Sequence, residues 1–166
     1  MNVTFRKATT DDLEQIMELV EDAIEHMETQ GIMQWDALYP VMEDFAEDVN
    51  EGTLFVGTQD KKLAVICTVN QKCDDEYKVG QWQQPKKSFV VIHRLCVNPA
   101  FQNKGIAYQT MHFIETLVKE KGIEAVRLDV FSQNPYALRL YQKCGYQEVG
   151  SVHWRKGMFY LMEKYL

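Results

Sequence analysis

An apolar segment near the middle of the chain limits the folds that this sequence can adopt. Ser88 to Val97 reads SFVVIHRLCV, which predicts a central strand buried on both faces. The turn Asn98-Pro99, a polar loop and a helix that ends at Gly122 follow it, and Ala125 to Phe131 is a second apolar strand. Strand, helix and strand in this order form a right-handed parallel βαβ unit. The sequence therefore predicts an α/β fold with a parallel strand pair.

The flanking segments predict further strands and helices in one domain over residues 1–166, because no repeat, low-complexity tract or linker interrupts them. A long polar stretch at 71–87 is predicted to be an irregular loop. The other predicted elements are the strands Val3–Phe5, Thr53–Thr58, Leu63–Asn70, Tyr146–Val152 and Met158–Lys164, a helix from a cap at Thr10 or Asp11 to Gly31, and helices over Pro40–Asn50 and Pro135–Gly145.

Composition excludes several classes of protein. The 166 residues include 18 Lys and Arg against 24 Asp and Glu, a net charge of −6, which offers no general attraction to nucleic acid or anionic lipid and favours cationic partners. No apolar run of about 18 residues predicts a membrane span, and the first residues do not resemble a signal peptide. The four cysteines and four histidines lack metal-site spacing, so we expect reduced thiols, no metal and a cytoplasmic protein.

The loop before the central helix is a candidate anion site. At the start of a helix, unpaired backbone N–H groups and the positive end of the helix dipole suit a phosphate. Gly105 lets the backbone approach a ligand closely, Ala107 is nearly as small, and Lys104 adds a positive charge. Taken alone, the pattern Q-x-x-G-x-A is weak evidence, and Gly105 is also compatible with an ordinary turn.

A second candidate cluster follows the strand at 125–131. Asn134 and Tyr141 are two helical turns apart, so their side chains lie on one side of the predicted helix. Asn134 is also a favourable helix cap. Taken alone, Tyr141 is more typical of a core aromatic residue whose hydroxyl reaches the surface.

The order of these segments is similar to that of the GNAT acetyltransferase superfamily. The match covers the strand ending Leu95-Cys96-Val97-Asn98-Pro99, the loop Gln102–Ala107, a helix, a strand and the segment Asn134–Tyr146; before residue 70 only the order of elements agrees. The resemblance implies one α/β domain with a mixed, mostly antiparallel sheet. It also implies that the two apolar strands splay apart and leave a V-shaped slot for acetyl-CoA.

The resemblance assigns cofactor-binding roles to specific residues. It implies that backbone N–H groups of the loop bind the pyrophosphate, that the strand end holds the pantetheine arm and the acetyl carbonyl, and that Asn134 and Ala137 also contact the cofactor. Tyr141 is implied to lie near the thioester sulfur and to protonate the departing thiolate. The implied loop residues are Gln102, Asn103, Lys104, Gly105, Ile106 and Ala107, and those of the strand end are Leu95, Cys96 and Val97.

Direct transfer to an amine requires a base, because a primary amine is protonated near pH 7. His93 is one candidate: it lies two residues before Leu95, which predicts the same face of the strand, and its intrinsic pKa is near neutral. Asp129 is the other, at a position where some related enzymes carry an acidic base. Each has an ordinary hydrogen-bonding alternative, and a water held near both is a third option. Cys96 is expected to be a buried wall residue whose N–H, or that of Val97, stabilises the oxyanion.

The acceptor is predicted to be a primary amine on a small molecule, a peptide N-terminus or a lysine. Trp35 and Tyr39 are candidate walls of its pocket, through cation–π contact, or they pack two helices together. Trp82, an aromatic residue in a polar stretch, suggests a ligand or dimer contact. Dimerisation, common in similar proteins, is left open.

Two other functions compete with the transferase. An acyl-CoA-binding regulatory module without turnover remains open because the base is uncertain, although Tyr141 argues against it. A different nucleotide-binding fold fits poorly, because the sequence lacks both GxGxxG and GxxxxGK[ST].

Overall fold

The computed structural model describes residues 2–166 and contains seven strands and four α-helices within them. Short 3-10 helices lie at Thr10–Asp12, Asp75–Val79 and Pro99–Phe101. The strands are β1 Thr4–Lys7, β2 Leu54–Gln59, β3 Lys62–Asn70, β4 Phe89–Val97, β5 Ala125–Phe131, β6 Gln147–Trp154 and β7 Gly157–Tyr165, and the helices are α1 Leu13–Thr29, α2 Met42–Asn50, α3 Ile106–Glu120 and α4 Pro135–Lys143.

All seven strands belong to one mixed sheet with the order β1-β2-β3-β4-β5-β7-β6. The pairs β1–β2, β2–β3, β5–β7 and β6–β7 are antiparallel, whereas β4 and β5 are parallel. The parallel register joins Phe89–Val91 to Ala125–Arg127, which is three residue pairs. The antiparallel register of β5 with β7, by contrast, runs through all seven residues of β5. The predicted mixed, mostly antiparallel α/β sheet with one parallel pair is confirmed.

The chain forms two compact units. The first comprises the described residues up to Val69 together with His93–Thr110. Its larger apolar cluster joins one face of α1 to β2, β3 and α2, with Ile16, Phe45, Leu54 and Ile66 fully buried. A smaller cluster gathers Val3, Ala64, Val65, Phe101 and Ile106.

The second unit comprises Asn70–Ile92 and Met111–Leu166. Its own apolar cluster contains Tyr77, Val91, Val152 and Leu161, with the half-buried Trp82 and Phe89 packed against it. The segment before β4 is therefore built into this unit. The prediction of an irregular loop at 71–87 misses a 3-10 helix that buries Tyr77.

Most strand ends differ from the predictions by one to two residues, and three differences at helix starts and turns have an identifiable local cause. The 3-10 turn that leads into the first helix is capped by Thr9 rather than by Thr10 or Asp11, in a capping box where the Asp12 carboxylate accepts the N–H of Thr9 at 2.7 Å. Pro40 precedes α2 instead of lying in its first turn. The turn between β2 and β3 is shorter than the predicted gap at 59–62, because Gln59 pairs with Lys62 and leaves Asp60 and Lys61 at the tip, both at positive φ.

Strand β4 is buried at its start but only partly buried over residues 93–95, so the prediction of burial on both faces holds for Val90–Ile92 and not for the whole strand. Arg94 explains part of this difference. Its φ of 52° lies in the left-handed region and interrupts the pleat.

Within residues 2–166, the longest helices do not combine the length and apolar character that crossing a bilayer requires. The same residues contain no cluster of His, Cys, Asp and Glu arranged to hold a metal ion. The four cysteines are free thiols.

Candidate active site

The loop over 102–105 and the start of α3 form an open backbone site in the first unit. Asn103 and Gly105 both have positive φ, 61° and 73°, so the chain turns sharply just before the helix. A Cβ built on Gly105 would meet no atom within 4 Å, so glycine serves the backbone conformation there and leaves space for a ligand. The N–H groups at residues 106–108 have no acceptor inside the helix. This arrangement suits an anion.

The side chains of this loop divide into two groups. Gln102, Asn103 and Lys104 are exposed, and the Lys104 ammonium lies 5.3 Å from the centre of the Phe101 ring. Ile106, in contrast, is 2% exposed and belongs to the apolar core, so only its backbone is available to a cofactor. Ala107 is half-buried.

The three residues at the end of β4 that the family resemblance assigns to the cofactor, Leu95, Cys96 and Val97, lie against two different apolar clusters. Leu95 and Val97 pack against the small cluster that contains Phe101 and Ile106. Cys96 is buried in the larger cluster beneath α1 and α2. Burial raises the pKa of its thiol to about 12, which opposes nucleophilic use near neutral pH. The environment of Cys96 agrees with a wall residue.

His93 and Leu95 share one face of β4 only if the strand between them is unbroken. Because Arg94 lies between them in the left-handed region, strict alternation of side chains does not extend from His93 to Leu95. His93 is half-buried and has interactions of its own. The alternation therefore no longer supports His93 as the base.

Arg94 forms a buried ion pair that the sequence patterns do not predict. Its guanidinium donates to Asp48 through Nε, at 3.1 Å, and through Nη2, and it donates to the Tyr39 hydroxyl at 3.0 Å. Asp48 also accepts the Thr68 hydroxyl at 2.7 Å. The side chains of Arg94 and Asp48 are only 14% and 6% exposed. A lone arginine in an apolar strand was the available signal, because such a charge needs a buried partner.

The two aromatic residues proposed to line the acceptor pocket, Trp35 and Tyr39, differ in burial. Trp35 is 9% exposed and lies in the large core cluster, so the packing interpretation holds for it. Tyr39 is 40% exposed, and its ring stays accessible while Arg94 holds its hydroxyl. Leu38 beside it is 73% exposed.

A cavity of about 590 Å³ also lies in the first unit, among α1, the β2–β3 turn and the residues after β4. Its lining mixes carboxylates, such as Glu18 and Asp22, with ammonium groups, such as Lys61 and Lys104. The mixed charge does not select one class of ligand.

In the second unit, Asp129 of β5 is held by a residue that the sequence argument missed. The Tyr77 hydroxyl donates to its Oδ2 at 2.7 Å. Burial raises the pKa of Asp129 to about 6; the bond from Tyr77 lowers it and the nearby Asp74 raises it. A carboxylate that titrates near neutral pH is suited to act as a general base. Only the aromatic character of Tyr77 within a polar stretch hinted at its role.

Helix α4 carries the remaining predicted residues. Asn134 caps it by accepting the N–H of Ala137 at 3.1 Å, as expected for a capping asparagine. Tyr141 is 7% exposed and meets Tyr146 edge-on, with ring centres 6.0 Å apart. Ala137 is half-buried.

Comparison with known proteins gives consistent matches. The sequence model of the "Acetyltransferase (GNAT) family" matches residues 20–146. The uncharacterized N-acetyltransferase YesJ of Bacillus subtilis (strain 168) is 23% identical over 147 residues, 87% of this chain and 81% of YesJ. A GNAT-family acetyltransferase structure from Streptococcus agalactiae 2603 has a TM-score of 0.87 at 25% identity, covering 99% of this chain and 95% of that one.

A third match concerns the fold alone. The structure of the PaiA N-acetyltransferase from Thermoplasma acidophilum, in complex with coenzyme A, has a TM-score of 0.76 at 19% identity and covers all of both chains.

Proposed function

Because the chain belongs to the acetyltransferase (GNAT) family, it is an acyltransferase, and we propose that it transfers an acetyl group from acetyl-CoA directly to a primary amine. The observation that carries this proposal is the open backbone site at the start of α3, where Gly105 and unpaired N–H groups suit the pyrophosphate of coenzyme A. The coenzyme A bound by the PaiA enzyme supports the same cofactor.

We assign the cofactor contacts to three groups of residues. The backbone of Gln102–Ala107 holds the pyrophosphate, with Lys104 adding charge. The backbone of Leu95–Val97 orients the pantetheine arm and the acetyl carbonyl, and an N–H at Cys96 or Val97 donates to the carbonyl oxygen as negative charge develops there. Asn134 and Ala137 contact the arm from α4. When bound, acetyl-CoA supplies an acyl group activated as a thioester.

Asp129 is the proposed general base. Its carboxylate accepts a proton from the ammonium group of the acceptor, directly or through one water, and the freed nitrogen lone pair forms the new C–N bond. Its pKa of about 6 leaves it largely ionised near pH 7, yet basic enough to take a proton. We prefer Asp129 to His93, since a defined partner orients Asp129 and the alternation argument for His93 no longer applies.

Tyr141 is the proposed general acid. As the C–S bond breaks, its hydroxyl gives a proton to the thiolate of coenzyme A, and the second proton lost from the acylated nitrogen restores the hydroxyl. No nucleophile of the enzyme takes part, in keeping with the raised pKa of the buried Cys96. The acceptor contacts the exposed ring of Tyr39, and the net charge of −6 favours a cationic acceptor.

The test is release of free thiol from acetyl-CoA in the presence of putrescine, spermidine, free L-amino acids and short peptides with a free N-terminus or a lysine. We expect release that depends on at least one of these amines. Tyr141→Phe should lower kcat by about 100-fold or more, while the KM for acetyl-CoA stays within about twofold.

Tyr136→Phe is the matched control, because Tyr136 lies on the same helix and is 55% exposed. Binding of acetyl-CoA without release by any amine would contradict the proposed transfer. A loss of activity in Tyr136→Phe equal to that in Tyr141→Phe would contradict the role of Tyr141.

A further inference from the structure

A buried tyrosine in the segment before β4 makes direct contact with the proposed base. Tyr77 is 3% exposed, and its hydroxyl donates to Oδ2 of Asp129 at 2.7 Å. Building on the proposed function, we propose that Tyr77 is a positioning residue that fixes the Asp129 carboxylate and leaves its Oδ1 for the proton of the acceptor amine.

Oδ1 of Asp129 is available for that proton. Among residues 2–166 no group donates a hydrogen bond to it. The only fully buried side-chain polar atom without a partner in the same part of the chain is Nε of Arg127, so Oδ1 keeps contact with solvent. The carboxylate therefore has one oxygen held by protein and one open, as a general base requires.

Trp82 contacts Tyr77 at two points, its ring and its backbone carbonyl. Trp82 stacks on that ring with ring centres 5.8 Å apart and planes at 28°, and the Trp82 indole N–H donates to the Tyr77 carbonyl at 2.9 Å. The ring centre of Trp82 in turn lies 4.1 Å from Cζ of Arg127, and the ring centre of Phe89 lies 3.8 Å from the same atom. These contacts restrict the position of the Tyr77 hydroxyl.

The segment after Tyr77 is fastened to the sheet of the same unit. The N–H of Gln81 donates to the Val149 carbonyl at 2.7 Å, and that of Gln83 to the Glu163 carboxylate at 3.0 Å. The N–H of Gln84 donates to the Tyr165 hydroxyl at 2.8 Å. Because three successive bonds tie down the segment, Tyr77 is held in place before any substrate binds.

The charged and polar groups around Asp129 indicate how the Tyr77 hydroxyl affects the pKa of its carboxyl. From the segment before β4, Tyr77 stabilises the ionised carboxylate, whereas Asp74 disfavours it. From the sheet, Arg127 lies two residues earlier on the same face of β5, with Glu163 opposite it on β7. The hydroxyl of Tyr77 is the one group from residues 2–166 that donates a hydrogen bond to the Asp129 carboxylate, so its removal should raise the pKa of that carboxyl.

The first measurement is the pKa of the Asp129 carboxyl itself, which can be titrated without an acceptor amine. The protein is labelled with ¹³C at aspartate carboxyls, the Asp129 signal is assigned by its loss in Asp129→Asn, and the signal is titrated in wild type and Tyr77→Phe. We expect the midpoint, near pH 6 in wild type, to rise by about one unit in Tyr77→Phe. The acid limb of the pH profile for acetyl transfer, followed with the amine that gives the greatest thiol release, should move by the same amount.

Tyr146→Phe is the matched control. Tyr146 is 4% exposed, and its hydroxyl donates to a carboxylate of the same unit, Glu115, at 3.1 Å. It has no hydrogen bond with Asp129, so its removal should leave the Asp129 midpoint unchanged. Site-specific 3-fluorotyrosine at position 77, a stronger donor, should lower the midpoint and keeps the test valid if Tyr77→Phe does not fold.

Each outcome bears on a different claim. An Asp129 midpoint that is unchanged in Tyr77→Phe and with fluorotyrosine overturns the positioning role and leaves the proposed acetyl transfer intact. A midpoint that moves while the pH profile does not overturns Asp129 as the base, and with it the role of Tyr77 in catalysis. If the Asp129 midpoint and the acid limb of the pH profile shift together, the result supports both the positioning role of Tyr77 and Asp129 as the base.

Discussion

Replacing Asp129 with asparagine should stabilise the protein at pH 8 and change its stability little at pH 4. The folded protein raises the pKa of this carboxyl from 3.8 to about 6, chiefly because burial disfavours the charged form. The native state therefore binds more protons than the unfolded state between about pH 4 and pH 6, and its stability falls as the pH rises through that window. Above pH 6 the wild type carries the cost of a charged, partly buried carboxylate, which asparagine removes.

The size of this effect follows from the difference in pKa. Subtracting 3.8 from about 6 gives a shift of roughly 2 units, and at about 1.4 kcal/mol per unit this sets an upper limit of about 3 kcal/mol. Because Asp129 is partly exposed and solvent screens its charge, we expect a gain of about 1–2 kcal/mol. The amide oxygen of asparagine can still accept the Tyr77 hydroxyl, so that hydrogen bond is retained.

The assay is urea unfolding of wild type and Asp129→Asn at pH 4 and pH 8. Asp75→Asn is the control, because the side chain of Asp75 is 94% exposed and should show no such pH-dependent gain. Equal effects of Asp129→Asn at the two pH values, or destabilisation at pH 8, would refute a raised pKa for Asp129. That result would also remove the electrostatic support for Asp129 as the base.

Three further predictions concern the first unit. Arg94→Met should lower the free energy of unfolding by about 3–5 kcal/mol in urea titrations, since it leaves the buried Asp48 carboxylate without its cation; a change below about 1 kcal/mol would contradict a buried pair. Gly105→Ala should weaken acetyl-CoA binding in calorimetry and cost about 1 kcal/mol of stability, because alanine is strained at a φ of 73°; unchanged affinity would argue against the loop as the pyrophosphate site. Cys96→Ala should retain acetyl transfer, and the Cys96 thiol should resist iodoacetamide at pH 8 while the exposed Cys73 reacts; an inactive but folded variant would reopen a role for the thiol.

The sequence predicts the bounds of an element accurately where apolar residues repeat at a regular spacing or where a capping residue marks its start. The bounds predicted for β5, Ala125–Phe131, are the bounds observed, and Asn134 caps α4 as its residue type suggests. The loop at 102–105 also has the sharp turn expected of it, because glycine at position 105 indicates a positive φ. These features depend on neighbours close in the chain, which the sequence displays directly.

The electrostatic environment of the site could not be predicted in the same way. The bond between Tyr77 and Asp129 joins residues 52 positions apart, and that between Arg94 and Asp48 joins residues 46 apart. The spacing of apolar residues along the chain does not indicate which distant polar side chains will pair. The left-handed conformation of Arg94 was equally hidden, because an arginine in an apolar run gives no local reason for a positive φ. Trp35 and Tyr39 have similar side chains, and only their tertiary environment separates a core residue from an exposed one.

The most direct test of direct acetyl transfer follows the acetyl carbon itself. The protein is mixed with acetyl-CoA labelled with ¹³C at the acetyl carbonyl and with an amine that releases thiol, and the label is observed by NMR while the protein is weighed by intact mass spectrometry. We predict that the thioester signal is replaced by an amide signal in step with free thiol, and that the protein mass is unchanged throughout. An acetylated protein that forms and decays at the rate of turnover, or label that appears only in free acetate, would contradict direct transfer to the amine.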